Sequence, residues 1–356
     1  MKKSVSRLVV GYAIVLGIFW MGLADPALSA EKVTLNGGGA SFPLPLYLKW
    51  FRDYNRATPH VIITYNGIGS GAGIYSFINK RFDFAGSDVP MTTEEAAKVA
   101  GGVVQVPLAA GALVLIYNLE GVDNLRLSRE AYTGIFLGTV KNWQDPLIAK
   151  ENKGVELPDK EIFLVARADS SGTSQIMSQH LSAVSETFAK TVGASKEPVW
   201  PTTIAKEGRL VRALANGGVA QMVKVLPGSI GYVEFSYAHF SNIKMATLQN
   251  KAGRFVAPTT HSFAQALDSV LPSMEAPVPQ LPPDPSGDGS YPILSLTWLI
   301  SNRTYDDPSK VQTLKDVLNY CLAEGPKITP ALGYLPLPER LVSKARMQVE
   351  TIALKK

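Results

Sequence analysis

The chain has 356 residues, 46% hydrophobic and 18% charged, a balance that excludes intrinsic disorder and leaves room for about two domains, each with its own core. Its net charge of +5 comes from lysines and arginines scattered among acids, so no basic stripe offers a face for nucleic acid. The single cysteine, Cys321, excludes an internal disulfide.

The first element in chain order is a targeting segment. "MKKSVSRLVVGYAIVLGIFWMGLADPALSAEK" opens on Lys2, Lys3 and Arg7, runs apolar from Leu8 to Leu23, and reaches small residues at Ala30. That layout predicts a secretory signal over residues 1–30, its apolar run shorter than the ~20 residues of a spanning helix. No cysteine near the junction suggests a lipid anchor, and no later segment is a membrane-span candidate. Export follows from this reading.

From Lys32 onward, apolar runs such as "VIITY" (61–65), "ALVLIYN" (112–118) and "IFLVA" (162–166) alternate with helical patterns. Runs without strict in-out alternation fit strands buried on both faces, as in parallel sheets, and predict an α/β fold. Three glycine-rich loops each open a predicted helix. "NGGGASF" (36–42) precedes an apolar face of Leu46, Tyr47, Trp50, Phe51 and Tyr54. "NGIGSGAG" (66–73) precedes Ile74, Phe77 and Ile78, and "DSSGTSQ" (169–175) precedes Ile176, Met177, His180 and Leu181. Glycines let backbone approach a ligand, and the first N–H groups of a helix lack internal partners at the positive end of its dipole. Such a terminus suits an anion. Each loop taken alone reads equally as an ordinary helix cap.

Two acids and one arginine add chemistry to these loops. Arg167 presents a planar fork suited to two oxygens of a tetrahedral anion, and it also suits an ion pair with Asp169; both can hold together. Asp88, in "FDFAGSDVP", reads either as a cap for "MTTEEAAKVA" or as an acceptor beside the anion. A carboxylate cannot donate, so it repels an anion that lacks a proton; phosphate near neutral pH keeps one and sulfate does not. "EAPVPQLPPDPSGDGSYP" (275–292) can be neither helix nor central strand, "ILSLTWLI" (293–300) resumes a buried strand, and 338–354 predicts a terminal helix. There is no nucleophile elbow, P-loop or zinc motif, and His60, His180, His239 and His261 lack ligand spacing. His180, on an apolar helix face, is expected to be structural.

At these residues the sequence is similar to the periplasmic phosphate-binding proteins of phosphate-specific ABC transporters. The matching blocks are "GGGASFPLPLYLKW", "YNGIGSGAGI", "FDFAGSDVPMT", "GTVKNWQDPLIAK", "ARADSSGTS" and "LPGSIGYVEFSYA", in order over nearly the whole chain after residue 30. The resemblance implies a two-domain hinged α/β fold of type II-like topology with phosphate enclosed in the interdomain cleft. Domain I is then expected at residues 31–115 plus 291–356, and domain II at 116–290. Carried over by position, the phosphate contacts are Ser41, Phe42, Ser70, Asp88, Arg167, Ser171, Gly172 and Thr173, with Asp169 orienting the arginine. The implied function is capture of inorganic phosphate in the periplasm by a monomer, without metal or other cofactor, and delivery to an inner-membrane ABC permease. Three departures stand out: Ser41 where threonine is common, Ser170 where glycine is frequent, and a longer, more basic segment at 202–221 whose Arg209 and Arg212 are expected on the surface. Two other readings stay open, a phosphatase or phosphotransferase with Ser171 or Ser41 as nucleophile, and an adhesion or signalling module on the same fold.

Overall fold

The computed structural model describes residues 32–355 apart from 275 and 277, so the predicted secretory signal lies outside the described residues. Eight strands form one sheet: β1 (Val33–Gly39), β2 (Val61–Gly67), β3 (Phe84–Ser87), β4 (Val103–Tyr117), β5 (Phe163–Arg167), β6 (Leu210–Ala213), β7 (Ser229–Glu234) and β8 (Leu294–Asn302). Their order is β2-β1-β3-β8-β4-β7-β5-β6. The fifteen-residue β4 joins the two halves of this sheet. Val103–Ala112 pairs with β8, and Leu113–Tyr117 pairs with β7. Where β4 changes partner, Leu113 faces Glu234 at the end of β7 and Ala112 faces Leu294 at the start of β8.

The predicted strands are present, but the sheet is mixed rather than parallel. β4 runs antiparallel to both its neighbours, and only β1, β2, β3 and β5, β6, β7 form parallel sets. An unbroken apolar run reports burial on both faces and carries no information about strand direction.

Among the helices that flank the sheet are α1 (Leu44–Ala57), α2 (Ser70–Ile78), α3 (Gly172–Val184), α4 (Ala215–Val225), α5 (Pro308–Ala323) and α6 (Glu339–Glu350). The five residues predicted for the apolar face of α1 are the five it buries, a gain of roughly 2 kcal/mol for each large side chain. Tyr47, Phe51, Tyr65 and Phe84 meet there edge to face or tilted, which locks α1 onto β2 and β3. The proline-rich segment contains no helix or strand after residue 280, and Asp284 anchors it through two bonds to Arg129, at 3.0 and 2.8 Å. The terminal helix ends at Glu350, shorter than predicted, because Ala353–Leu354 pairs as a strand with Thr304–Tyr305. Among the described residues no helix is long and apolar enough to cross a membrane.

Candidate functional site

Strand register decides which loops meet. Gly39 of β1 lies opposite Gly67 of β2 and Gly86 of β3, so the loops carrying Ser41, Ser70 and Asp88 leave one edge together. In the other half Arg167 of β5 lies opposite Ala213 of β6, which aligns the loops before α3 and α4. All these loops follow the carboxyl ends of parallel strands, the usual position of ligand sites in α/β sheets. The two sets face each other directly. Gly71 N–H donates to Ser170 O at 2.9 Å, and Gly172 N–H donates to Ser70 Oγ at 3.2 Å. Gly69, at φ +94°, and Gly71 leave the room for this approach, since a Cβ on Gly71 would stand 2.1 Å from Ser170 Oγ.

Arg167 and Asp169 form the charged centre. The guanidinium is buried, with Nε donating to Asp169 Oδ1 at 2.8 Å and Nη2 donating to Oδ2. Asp169 also accepts Ala215 N–H at 3.0 Å, and these bonds hold its carboxyl below its ordinary value although burial pushes the other way. Arg167 Nη1 is buried and has no hydrogen-bond partner among the described residues. A guanidinium N–H in that condition costs free energy unless something accepts from it. Of the two possibilities read for Arg167, the structure shows the ion pair: one edge of the fork is held by Asp169, and Nη1 is left without a partner among the described residues.

The hydroxyls around this centre share one polarity. Ser41 Oγ accepts two N–H bonds, from Asn216 N and Asn216 Nδ2, each at 3.0 Å. Ser70 Oγ accepts from Gly172 N at 3.2 Å and Asp88 N at 3.4 Å. Thr173 Oγ1 accepts from Asn216 Nδ2 at 3.2 Å, and Ser171 Oγ caps α3 by accepting Ser174 N–H at 3.1 Å. A hydroxyl has one proton and two lone pairs. Ser41 and Ser70 have both lone pairs committed, so what they can still offer is a donor. Phe42 contributes backbone only, because its buried ring packs against Tyr334 and its carbonyl accepts from the Tyr334 hydroxyl at 2.6 Å. Gly172 and Thr173 begin α3, whose first N–H groups lack intrahelical acceptors.

Against these donors stands Asp88, a buried carboxylate that no arginine or lysine holds among the described residues. Asp88 does not cap the following helix; Thr92 does, through a capping box with Glu95. The Asp88 carboxyl receives only long bonds, from Thr173 Oγ1 to Oδ2 and from Thr297 Oγ1 to Oδ1, both 3.5 Å. Burial raises it to about 7, against the lowering effects of Arg167 and the two threonines. Next to this group lies a second buried acid, Glu234, raised by burial to about 8. The Tyr334 hydroxyl is 2.6 Å from the Phe42 carbonyl oxygen and 2.9 Å from Glu234 Oε2. The Tyr334 hydroxyl is thus shared between these two oxygens, and Glu234 Oε2 also accepts from Ser236 Oγ.

Sequence reasoning missed Asn216, Glu234, Thr297 and Tyr334. It also misplaced Arg209, which is buried rather than exposed: Glu207 accepts from its Nε at 2.9 Å and Ile162 O from its Nη1 at 3.2 Å. Those partners lie at the far end of β5, away from Arg167. Arg212 is exposed as expected, with Nη1 reaching Arg167 O at 3.2 Å. His180 is a buried structural residue, held between Tyr132 Oη at 3.0 Å and Pro283 O at 2.7 Å, and burial lowers it to about 4. Among the described residues no group of three His, Cys, Asp or Glu is placed to hold a metal ion. A surface cavity of about 880 Å³ between Tyr117, Gln144, Lys160 and Lys244 shares no residue with the cluster.

Comparison with known proteins agrees with the fold. The family model described as the PBP superfamily domain matches residues 25–324. The phosphate-binding protein PstS of Pasteurella multocida is 36% identical over 327 residues, covering 91% of this chain and 92% of that one. The PstS of Xylella fastidiosa strain Temecula1 is 35% identical, covering 89% and 85%, and that of Methanocaldococcus jannaschii is 33% identical, covering 95% and 93%. Among solved structures, a high-affinity periplasmic phosphate-binding protein with bound phosphate superposes with a TM-score of 0.71 at 21% identity, covering 88% of this chain and 93% of that one. A phosphate-binding protein from Stenotrophomonas maltophilia gives 0.69 at 20% identity, covering 89% and 94%.

Proposed function

The chain belongs to the family of PstS phosphate-binding proteins, and from that premise we propose that it captures one inorganic phosphate ion between the two halves of its sheet. The observation that carries this reading is the polarity of the site. Ser41 and Ser70, their lone pairs taken by N–H groups, can only donate. Arg167 Nη1 is a buried donor without an acceptor among the described residues. Several converging donors call for an anion with several acceptor oxygens, and the Asp88 carboxylate calls for an anion that keeps one proton. Hydrogen phosphate has both properties. With Asp169 offsetting Arg167, attraction rests on hydrogen bonds and helix dipoles rather than on surplus positive charge.

In this reading the protein is exported to the periplasm, works as a monomer and hands phosphate to an inner-membrane ABC permease. The sheet divides into lobes at residues 31–115 plus 291–356 and 116–290, which close on the ion. Ser41, Phe42, Ser70, Asp88, Arg167, Ser171, Gly172 and Thr173 contact it. The geometry counts against Ser41 or Ser171 as a nucleophile, because the oxygen of each already accepts N–H and, among the described residues, no base is hydrogen-bonded to either. The test is calorimetric titration of protein stripped of ligand by partial unfolding and refolding. Tight one-to-one binding of phosphate with no response to sulfate at alkaline pH is expected. Silence with both would refute the proposal and favour an adhesion or signalling role, whereas turnover of a chromogenic phosphate ester would favour an enzyme.

A further inference from the structure

Asn216 lies in none of the three loops that the sequence singles out, yet it is wholly buried and bonded to both halves of the site. Its amide orientation is fixed by chemistry. Oδ1 accepts the backbone N–H of Glu234 at 3.0 Å, and a backbone N–H can only donate, so Nδ2 must face the other way. The two Nδ2 hydrogens then go to Ser41 Oγ at 3.0 Å and Thr173 Oγ1 at 3.2 Å. Ser41 follows β1 and Thr173 begins α3, so one amide ties hydroxyls from opposite halves of the sheet. The backbone is bent to allow it. Ala215 sits at φ +59°, an uncommon conformation for a residue with a Cβ, and Asp169 Oδ1 holds its N–H at 3.0 Å. That turn brings the main-chain N–H of Asn216 to the same Ser41 oxygen.

We infer that Asn216 is a positioning residue for the anion: by donating twice to Ser41 it forces that hydroxyl proton toward the bound ion, and by donating to Thr173 as well it couples that orientation to the meeting of the two halves. The inference rests on the proposed phosphate site and adds to it a residue that never touches the ligand. Without the amide, Ser41 keeps one free lone pair and its proton is no longer confined to one direction. Asp169 becomes the common organiser of the site, since it holds the Arg167 fork with one set of lone pairs and the turn before Asn216 with another.

The test is phosphate affinity by calorimetry for wild type, Asn216→Ala, Ser41→Ala and the double variant, with thermal melting of each. Asn216→Ala should weaken phosphate binding roughly tenfold, as expected for a disordered charge-assisted hydrogen bond. The same change made in the Ser41→Ala background should cost clearly less, because the hydroxyl it orients is gone. Asn216→Asp keeps the shape and replaces the donor with an acceptor. At alkaline pH it should bind more weakly than Asn216→Ala, and its deficit relative to wild type at the same pH should shrink as the introduced carboxyl takes up a proton. Should Asn216→Ala fail to fold, Asn216→Asp carries the test through that pH profile. Affinity for Asn216→Ala within about threefold of wild type, less than half of what one hydrogen bond to a charged group is worth, would overturn the inference. So would a cost undiminished by Ser41→Ala, or an Asn216→Asp deficit independent of pH. A wild-type protein that ignores phosphate would remove the functional proposal itself, an outcome no variant result can imitate.

Discussion

Replacing Arg167 with lysine keeps the positive charge and removes the planar fork, which separates the two roles assigned to this side chain. In the native site Nε and Nη2 are committed to Asp169 and Nη1 has no partner among the described residues. A lysine ammonium at the same place is drawn to Asp169, the nearer carboxylate, and can no longer present two parallel N–H groups to the anion. Losing one or two charge-assisted bonds at ~1.5–3 kcal/mol each amounts to ~2–6 kcal/mol, or roughly 30-fold to 10,000-fold in phosphate affinity. The fold should survive, because Asp169 keeps a cationic partner and the Ala215 N–H. Arg167→Ala would be a poorer probe, since it strands a largely buried carboxylate at a cost of ~3–5 kcal/mol and confuses binding with stability. Calorimetry with phosphate, beside a melting curve for each protein, reads the two effects separately. A lysine variant that melts normally and binds phosphate within about threefold of wild type, well below the value of one such bond, would show that the open edge of the fork does not face the ion.

Three further outcomes follow from the same geometry. Gly71→Ala places a Cβ 2.1 Å from Ser170 Oγ and 2.5 Å from Ser170 Cβ, a clash felt only where the halves meet; at ~1–3 kcal/mol for overpacking, phosphate affinity should fall roughly 5-fold to 150-fold. Ser170→Gly should rescue it, and no rescue would mean the contact is not what limits binding. Asp88 and Glu234, raised to about 7 and about 8, bind protons more tightly folded than unfolded, so their stabilising contribution is complete below the ordinary carboxylate range and is lost as pH rises through those values. Ligand-free protein should therefore melt lower as pH climbs from about 6.5 to about 8.5, by up to ~1.4 kcal/mol per pH unit for each acid still protonated. His180 opposes this trend only below its ordinary value of 6.5. Glu234→Gln, whose amide oxygen can still accept the Ser236 N–H and which does not titrate, should flatten the upper part of that decline; an unchanged slope would exclude Glu234 as its source.

Much of the molecule is legible in the sequence wherever a local pattern exists. The apolar face of α1 is spaced by three, four and seven, and every member is buried. The pairing of Arg167 with Asp169 is readable because the partners are two residues apart. Asn216 offers no such pattern: it precedes two glycines, which resemble a loop, and its bond to Ser41 spans 175 residues. Glu234 did carry a signal, an acid closing the apolar run "SIGYV" and buried with it, as all six residues of Ser229–Glu234 are. Its reading requires Tyr334, exactly one hundred residues further on, which nothing local connects to it. Arg209 repeats the spacing of Arg167 and Asp169 in reverse, with Glu207 two residues before it; the arginine is again buried, whereas Glu207 stays exposed. Strand direction escaped because apolar runs encode burial alone.

The central claim is that Asp88 is an acceptor in a site of donors and therefore reads a proton on the anion. Sulfate titrated at about pH 8.5 and about pH 5.5 into wild type and Asp88→Asn tests it most directly, because sulfate has no proton at either pH and Asp88 does at the lower one. The account predicts that wild type rejects sulfate at the higher pH and accepts it at the lower, gaining roughly 10-fold to 100-fold for each unpaired acceptor relieved. The Asp88→Asn protein, with an amide donor in place of the carboxylate, should accept sulfate equally at both. Sulfate rejection that is indifferent both to pH and to Asp88→Asn would contradict the account.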